Sequence, residues 1–170
     1  IPFCARKCAY CDFYSIEDGT LMNAYTYALI AQIKSFKSAC KNYFVDTIYI
    51  GGGTPSILPP DHITRILNAV RSTFRVEPDA EISMEANAGT LISEKLSVYR
   101  EAGINRLSIG LQSADGGELS KLCRIHTREE FETEKNRELV LKRGIDFEDK
   151  MAECPNETCG YRNLIGTLTV

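Results

Sequence analysis

The sequence predicts an α/β fold in which parallel strands form a curved sheet and helices cover its outer face. Three segments, at about residues 45–50, 80–87 and 105–112, have the composition or the two-residue alternation of strands. Segments with apolar residues at helical spacing precede and separate them. Because strands and helices alternate with short links, the strands should be parallel and the crossovers right-handed. At 170 residues we expect one domain.

The first predicted strand, residues 45–50, ends in a run of three glycines followed by Thr54 and Pro55. Glycine permits backbone conformations that other residues avoid and allows a close approach to a neighbouring group. Successive exposed N–H groups in such a loop can form an anion-binding nest. The alternative is an ordinary turn between a strand and a helix.

Polar residues mark one face of the second and third predicted strands. Glu85 alternates with apolar neighbours such as Met84, and Gln112 ends the third strand on its polar face. In (β/α) barrels the site lies at the carboxyl ends of the strands. We therefore expect Glu85 and Gln112 at one mouth of the sheet, with the glycine loop. The alternative for Glu85 is a solvated carboxylate on an edge strand.

Four segments have the apolar spacing or the start signals of helices. Pro59, Pro60 and Asp61 open the second, and Thr127 with Glu130 forms a capping box for the fourth. His62, at the start of the second helix, is expected to be solvated or to cap the helix. The predicted helices span about residues 21–39, 63–74, 93–102 and 127–143.

Composition excludes two classes of partner. The formal net charge of -3 and the pI of about 5.5 give no basic footprint for nucleic acid. No apolar run is long enough to form an integral membrane segment. Seven cysteines without a secretory segment indicate a cytoplasmic chain with metal-bound or free thiols. Because the sequence starts at Ile1 without Met, we expect a fragment whose first strand lacks its start.

Cys4, Cys8 and Cys11 form a C-x3-C-x2-C pattern near the amino terminus. Thiolates this close can converge on one metal centre, and three of them cannot all pair as disulfides. A [4Fe–4S] cluster on three cysteines leaves one iron without a protein ligand. A zinc knuckle remains open as an alternative, although no fourth ligand follows Cys11 at a recognisable spacing. A disulfide with a spare thiol would require an oxidising compartment.

The residues around these cysteines resemble the radical S-adenosylmethionine (SAM) superfamily, whose pattern has an aromatic residue, here Tyr10, before the last cysteine. The wider string Ile-Pro-Phe-Cys…Tyr-Cys-Asp-Phe-Tyr-Ser is similar to the oxygen-independent coproporphyrinogen III oxidases and their heme-chaperone paralogues. The resemblance implies a [4Fe–4S] cluster on Cys4, Cys8 and Cys11. It also implies that the open iron binds the amino and carboxylate groups of SAM, which is cleaved to methionine and a 5′-deoxyadenosyl radical.

Further motifs of this family occur in order along the chain. The Gly-Gly-Gly-Thr-Pro run implies contacts to the SAM amino group and methionine moiety. The Glu-Ala-Asn and Gly-Leu-Gln-Ser motifs and the Arg-x-His segment imply further contacts to SAM, with Arg124 at its carboxylate. A surface ion pair is the alternative for Arg124. The residues implied to bind the cofactor are Tyr10, Gly52, Gly53, Thr54, Glu85, Gln112 and Arg124.

The resemblance fades near the carboxyl end. We divide the chain into a partial radical SAM core, residues 1–145, and a divergent or truncated tail, residues 146–170. A charged segment occupies the place of the family's next parallel strand, where Asp149 would be a weak candidate for binding the SAM ribose. Cys154 and Cys159 are expected to be free thiols.

Two functions follow from the resemblance. One is a heme chaperone that binds heme, and the other is an oxidase that decarboxylates the propionates of coproporphyrinogen III. The oxidases carry a further Cys two residues after the third cluster Cys, where this chain has Phe13, which favours the chaperone branch. Either function implies a tetrapyrrole partner and an electron donor such as flavodoxin or ferredoxin. A non-functional fragment is the remaining alternative.

Overall fold

The computed structural model describes residues 1–113, 115–132, 146–153 and 162–169. Its strands form one five-stranded sheet in the order β1-β2-β3-β5-β4. The strands are β1 (Phe44–Ile50), β2 (Arg75–Ala86), β3 (Arg106–Gly110), β4 (Asp146–Glu153) and β5 (Arg162–Thr169).

The first three strands are parallel, as predicted. Ile50 of β1 pairs with Met84 of β2, and Ala86 of β2 pairs with Ile109 of β3. This register brings the carboxyl ends of β1, β2 and β3 to the same edge of the sheet. The loops that follow these strands therefore emerge side by side.

The last two strands depart from the expectation of parallel strands throughout. β5 runs antiparallel to β3, with Gly110 opposite Ile165, and β4 pairs antiparallel with β5. Only the eight residues 154–161 separate β4 from β5, whereas a parallel pair needs a crossover of roughly a dozen residues or more. Asp149 lies on β4, the outermost strand, with β5 between it and β3.

The described helices are α1 (Met22–Ser35), α2 (Pro60–Thr73), α3 (Ser93–Glu101), α4 (Gly116–Lys121) and α5 (Arg128–Glu132). α1 is shorter than predicted, because a 3-10 turn at Phe36–Ser38 takes over its carboxyl end. The predicted capping box forms at α5: Thr127 Oγ1 accepts from the Glu130 N–H, and Glu130 accepts from the Thr127 N–H. The remainder of that predicted helix, up to residue 143, lies outside the described residues. Among the described helices, none has both the length and the apolar character needed to span a bilayer.

The core lies between the helices and the apolar face of the sheet, as the alternation predicts. Ile82 and Met84 of β2 are buried together with Leu107 of β3. Ile63 and Leu67 of α2 pack into the same cluster. Burial of each such side chain contributes roughly 1.5–3 kcal/mol. The polar residues of the strands therefore lie on the opposite face, which leads to the mouth of the sheet.

His62 differs from the sequence-based expectation of a solvated or capping residue. Its side chain is buried, and Nδ1 lies 3.0 Å from Oγ1 of the buried Thr26 on α1. Thr26 also donates to the Met22 carbonyl within α1. The imidazole therefore connects α1 with α2, because the helix start is covered by the neighbouring helix rather than by water.

Candidate cofactor site

The segment that carries the cysteines is anchored in the core by Phe3. Phe3 is 1% exposed, and its ring packs edge-on against Tyr25 of α1 with centroids 5.3 Å apart. The Cys4 N–H donates to the Ile16 carbonyl (3.0 Å), and the Thr54 N–H donates to the Phe3 carbonyl (2.7 Å). The segment thus lies along the loop after β1, and the cysteines follow where the chain emerges from the core.

Gly53 permits this close approach. A Cβ atom at Gly53 would lie 2.6 Å from the Phe3 carbonyl oxygen and 3.1 Å from Cys4 Sγ. Gly52 has a φ of 118°, which other residues rarely adopt. The glycine run therefore fits the loop against the cysteine segment.

Three successive N–H groups of this loop, those of residues 52–54, have acceptors within the chain. Gly52 donates to Glu85 (3.0 Å), Gly53 to the Ile1 carbonyl (2.8 Å) and Thr54 to the Phe3 carbonyl. The anion-binding nest considered from the sequence is therefore not formed by these groups. The loop instead contacts the cysteine segment, where Thr54 Oγ1 donates to Cys4 Sγ at 3.6 Å.

Glu85 lies on the central strand of the parallel part of the sheet, not on an edge. One carboxylate oxygen accepts from the Tyr49 hydroxyl at 2.5 Å, and the other accepts from the Gly52 N–H. Burial, followed by the bond to Glu85, raises the pKa of Tyr49 to about 12. The phenol therefore remains a neutral donor. Sequence reasoning missed Tyr49, although the alternation of β1 separates it from its apolar neighbours Ile48 and Ile50.

Gln112 follows β3 in a left-handed backbone conformation, with a φ of 72°. Its side chain folds back over the end of β3, since a Cβ atom at Gly110 would lie 2.4 Å from Gln112 Nε2. The Gly110 carbonyl accepts from Arg124 Nη2 at 3.0 Å. Gln112 and Arg124 therefore both lie beside Gly110 at the carboxyl end of β3.

Arg124 contacts the cysteine segment, and none of the salt bridges among the described residues includes it. Its Nη1 donates to Cys8 Sγ at 3.4 Å, and its Nη2 donates to Asn87 Oδ1 at 2.8 Å. Its Nε is buried and has no hydrogen-bond partner among the described residues. Tyr10, half exposed, interacts with both Cys8 and Arg124, and burial raises its pKa.

Asn87 links the loops that contact the cysteines. Its Nδ2 donates to Thr54 Oγ1 at 3.1 Å, and its Oδ1 accepts from Arg124. The sequence motif contained Asn87, but sequence reasoning assigned it no role. The sequence signal that could have identified Asn87 is its position directly after β2, where the loops emerge from the sheet.

His126 fixes the chain beyond Arg124. It is buried, and its Nε2 lies 3.1 Å from the Leu111 carbonyl, which directly precedes Gln112. Its Nδ1 has no partner in the part of the chain that the structure describes. Burial, then the nearby Arg124 charge, lowers the pKa of His126. This neutral ring therefore connects the loop after β3 with the segment that carries Arg124.

The family model described as the radical SAM superfamily matches residues 1–146. This chain belongs to the radical SAM superfamily.

Curated relatives of this radical SAM chain include heme chaperones. It is 39% identical over 132 residues to the heme chaperone HemW of Escherichia coli, covering 76% of this chain and 35% of that protein. It is 35% identical over 164 residues to HemW of Haemophilus influenzae, covering 93% and 43%. The chain thus spans less than half the length of these curated relatives.

A solved structure agrees with the fold. The coproporphyrinogen III oxidase HemN from Escherichia coli, described as a radical SAM enzyme, superposes with a TM-score of 0.72 and 30% identity. The match covers 76% of this chain and 30% of that chain. The fold is therefore α/β and part of a radical SAM barrel.

The radical SAM family implies a [4Fe–4S] cluster and SAM, and the donor set fits the cluster. Cys4, Cys8 and Cys11 are free and half-buried. Among the described residues, no three His, Cys, Asp or Glu side chains are grouped to hold one metal ion. A cubane offers three separate irons to three thiolates, so its ligands need not meet at one ion.

A small cleft beside Cys8 is partly open to solvent. Cys8, Thr54, Asn87 and Arg124 line it. It lies where the cysteine segment meets the loops after β1 and β2. Polar donors in a cleft beside unpaired thiols are the arrangement that a cluster with a polar ligand requires.

Proposed function

We propose that this chain binds a [4Fe–4S] cluster through Cys4, Cys8 and Cys11, with SAM at the adjoining mouth of the sheet. We propose further that it acts in heme metabolism as a member of the heme-chaperone branch. The observation that carries the cofactor proposal is the contact of two cysteine sulfurs with Thr54 and Arg124. Hydrogen bonds to ligating sulfurs are one of the means by which proteins tune Fe–S clusters.

The residues around the thiols have chemistry that suits SAM. Glu85 supplies a carboxylate for the ammonium group, and Arg124 supplies a guanidinium for the carboxylate. Tyr10 interacts with both Cys8 and Arg124. Gln112 lies beside Gly110, as Arg124 does. When bound, the reduced cluster supplies the electron that cleaves SAM.

Two observations favour the chaperone branch over the oxidase. Heme chaperones are among the curated relatives at 35–39% identity. Phe13 occupies the position at which the resemblance predicts a further cysteine in an oxidase, and its side chain is exposed. The likeness to the oxidase HemN keeps coproporphyrinogen III as the alternative tetrapyrrole.

A flavodoxin or ferredoxin is the proposed electron donor. The proposed compartment is the reducing cytoplasm, which keeps thiols free.

Electron paramagnetic resonance (EPR) tests the cofactor proposal. The protein is reconstituted anaerobically with iron and sulfide, reduced, and measured with and without SAM. We expect a [4Fe–4S]⁺ signal that changes on addition of SAM and is absent from a variant in which all three cysteines are replaced by serine. A signal that does not respond to SAM would refute the SAM site, and the absence of any cluster would refute the proposal as a whole.

Product analysis separates the two branches. The reconstituted protein is incubated with heme in one assay and with SAM and coproporphyrinogen III in another. We expect heme to bind without loss of its propionates, and coproporphyrinogen III to remain intact. Decarboxylation of coproporphyrinogen III at a catalytic rate would assign the chain to the oxidases instead.

A further inference from the structure

The side chain of Tyr49 is bound to the carboxylate that is proposed to receive the SAM ammonium. Its hydroxyl donates to one oxygen of Glu85 at 2.5 Å, and the Gly52 N–H donates to the other at 3.0 Å. Each oxygen of the carboxylate therefore has one donor. With a donor on each oxygen, the carboxylate plane cannot rotate freely about its last side-chain bond.

The backbone between these donors is shaped to allow the contact. A Cβ atom at Gly51 would lie 2.5 Å from Cε1 of the Tyr49 ring and 2.9 Å from Glu85 Oε2. Any side chain at position 51 would therefore separate the ring from the carboxylate. The Tyr49–Glu85 pair is thus a packed arrangement over the backbone of Gly51, although Tyr49 itself is 62% exposed.

An ionised carboxylate has about four lone-pair sites, so two donors leave sites for a third. The phenol is neutral, and its raised pKa keeps it so. It therefore adds no positive charge that would compete with an incoming ammonium group. A donor that fixes the carboxylate before binding reduces the ordering cost that the ligand would otherwise meet.

We propose that Tyr49 is a positioning residue for SAM, which acts by holding the Glu85 carboxylate in the orientation that accepts the ligand ammonium. This inference rests on the proposed function, because it takes SAM as the ligand. Tyr49 acts through Glu85 and does not need to touch the ligand.

The test is an EPR titration of the reduced, reconstituted protein with SAM, comparing wild type, Tyr49→Phe and the control Tyr43→Phe. Tyr43 is an exposed tyrosine directly before β1. One hydrogen bond contributes about 0.5–1.5 kcal/mol, so Tyr49→Phe should need roughly 2- to 10-fold more SAM for half-saturation. Iron and sulfide content and the EPR signal without SAM should stay unchanged. An unchanged or tighter SAM titration in Tyr49→Phe would overturn the proposal.

A double-mutant cycle distinguishes positioning from a direct contact. In the Glu85→Gln background, Tyr49→Phe should change the SAM titration much less than in wild type, because Tyr49 acts through the carboxylate. Equal effects in both backgrounds would overturn positioning.

Gly51→Ala provides a second route to the same test. It displaces the Tyr49 ring and should weaken SAM binding, as Tyr49→Phe does. If wild type itself fails to respond to SAM, the proposed function fails, and that result is distinct from an unaffected Tyr49→Phe.

Discussion

Two loops hold the cysteine segment, and they do so by different means. The loop after β1 uses mainly backbone: Gly53 leaves no space for a side chain, and the Thr54 N–H donates to the Phe3 carbonyl at 2.7 Å. The Thr54 hydroxyl adds a longer contact to Cys4 Sγ at 3.6 Å. The segment after α4 uses a side chain: Arg124 reaches Cys8 at 3.4 Å. The backbone of this segment also accepts a hydrogen bond from the cysteine segment, from the Ala9 N–H to the Leu122 carbonyl at 3.4 Å.

The difference indicates how the two contacts should respond to a substitution or to the arrival of a ligand. A backbone contact without free space cannot yield, because interiors are packed as closely as crystals. A guanidinium on a long side chain can adjust its position when a ligand arrives. The first loop therefore fixes where the cysteines lie, and the second leaves a charged group able to serve both the thiol and a bound anion. Four substitutions or conditions test this contrast.

Gly53→Ala should have the largest effect on the binding of iron. The added Cβ would overlap the Phe3 carbonyl, and overpacking of this kind costs about 1–3 kcal/mol or more. We expect a lower unfolding temperature and loss of most of the iron bound after reconstitution. Gly116→Ala is the matched control, because a Cβ there meets nothing within 4 Å. Normal iron content in Gly53→Ala would contradict the view that this loop is rigid.

Arg124→Leu should come next. It removes a charged donor from Asn87, the Gly110 carbonyl and Cys8, and hydrogen bonds to charged groups contribute roughly 1.5–3 kcal/mol each. Loss of a positive charge beside the cluster should also make its reduction potential more negative. Potentiometry and SAM titration measure these effects. Arg124→Lys, which keeps the charge without the planar fork, should be intermediate. An unchanged potential with weakened SAM binding would assign Arg124 to the ligand alone.

Asn87→Ala should loosen the connection between the loops, because it removes the amide that bonds both Thr54 and Arg124. One of the two lost bonds has a charged donor, so together they are worth about 2–4.5 kcal/mol. Thermal unfolding measures the loss of stability, and the effect on SAM binding should be largely absent when Arg124 is already Leu. Independent effects of the two substitutions would mean that Asn87 does not act through Arg124.

The smallest effect should be a dependence on pH through His126. Its pKa is lowered in the folded chain, chiefly by burial, whereas an unfolded His has a pKa of about 6.5. Below about pH 6.5 the unfolded chain therefore takes up a proton that the folded chain resists, and stability falls as the pH drops. Above that pH the contribution of the neutral His126 to the stability of the folded chain is fully present.

Unfolding temperatures at about pH 7.5 and about pH 5.5 measure this term. The decrease between them should be smaller in His126→Gln than in wild type. The charges that interact with His126 are Arg124 and Glu130, so Glu130→Gln should deepen the decrease slightly. A decrease of equal size in wild type and His126→Gln would show that another group is responsible.

Much of the fold could be predicted because its signals are local. Alternation along β2 and helical spacing along α2 depend only on neighbouring residues, and both elements form as expected. The strand direction in the tail could not be read in this way. It depends on the short link between β4 and β5, which favours a hairpin over a crossover. His62 was likewise misjudged, because α1 covers it from a distant part of the chain.

For the candidate site, the sequence by itself determined the cysteine spacing, the parallel order of the first three strands and the presence of Glu85 and Arg124 near their ends. Tertiary structure alone decided the partners: Arg124 meets Cys8 across 116 positions, and Tyr49 meets Glu85 across 36. It also decided that the N–H groups of the glycine loop serve the chain itself. The physical reason is that periodicity fixes which face a residue occupies, whereas hydrogen-bond partners depend on which loops packing brings within about 3 Å.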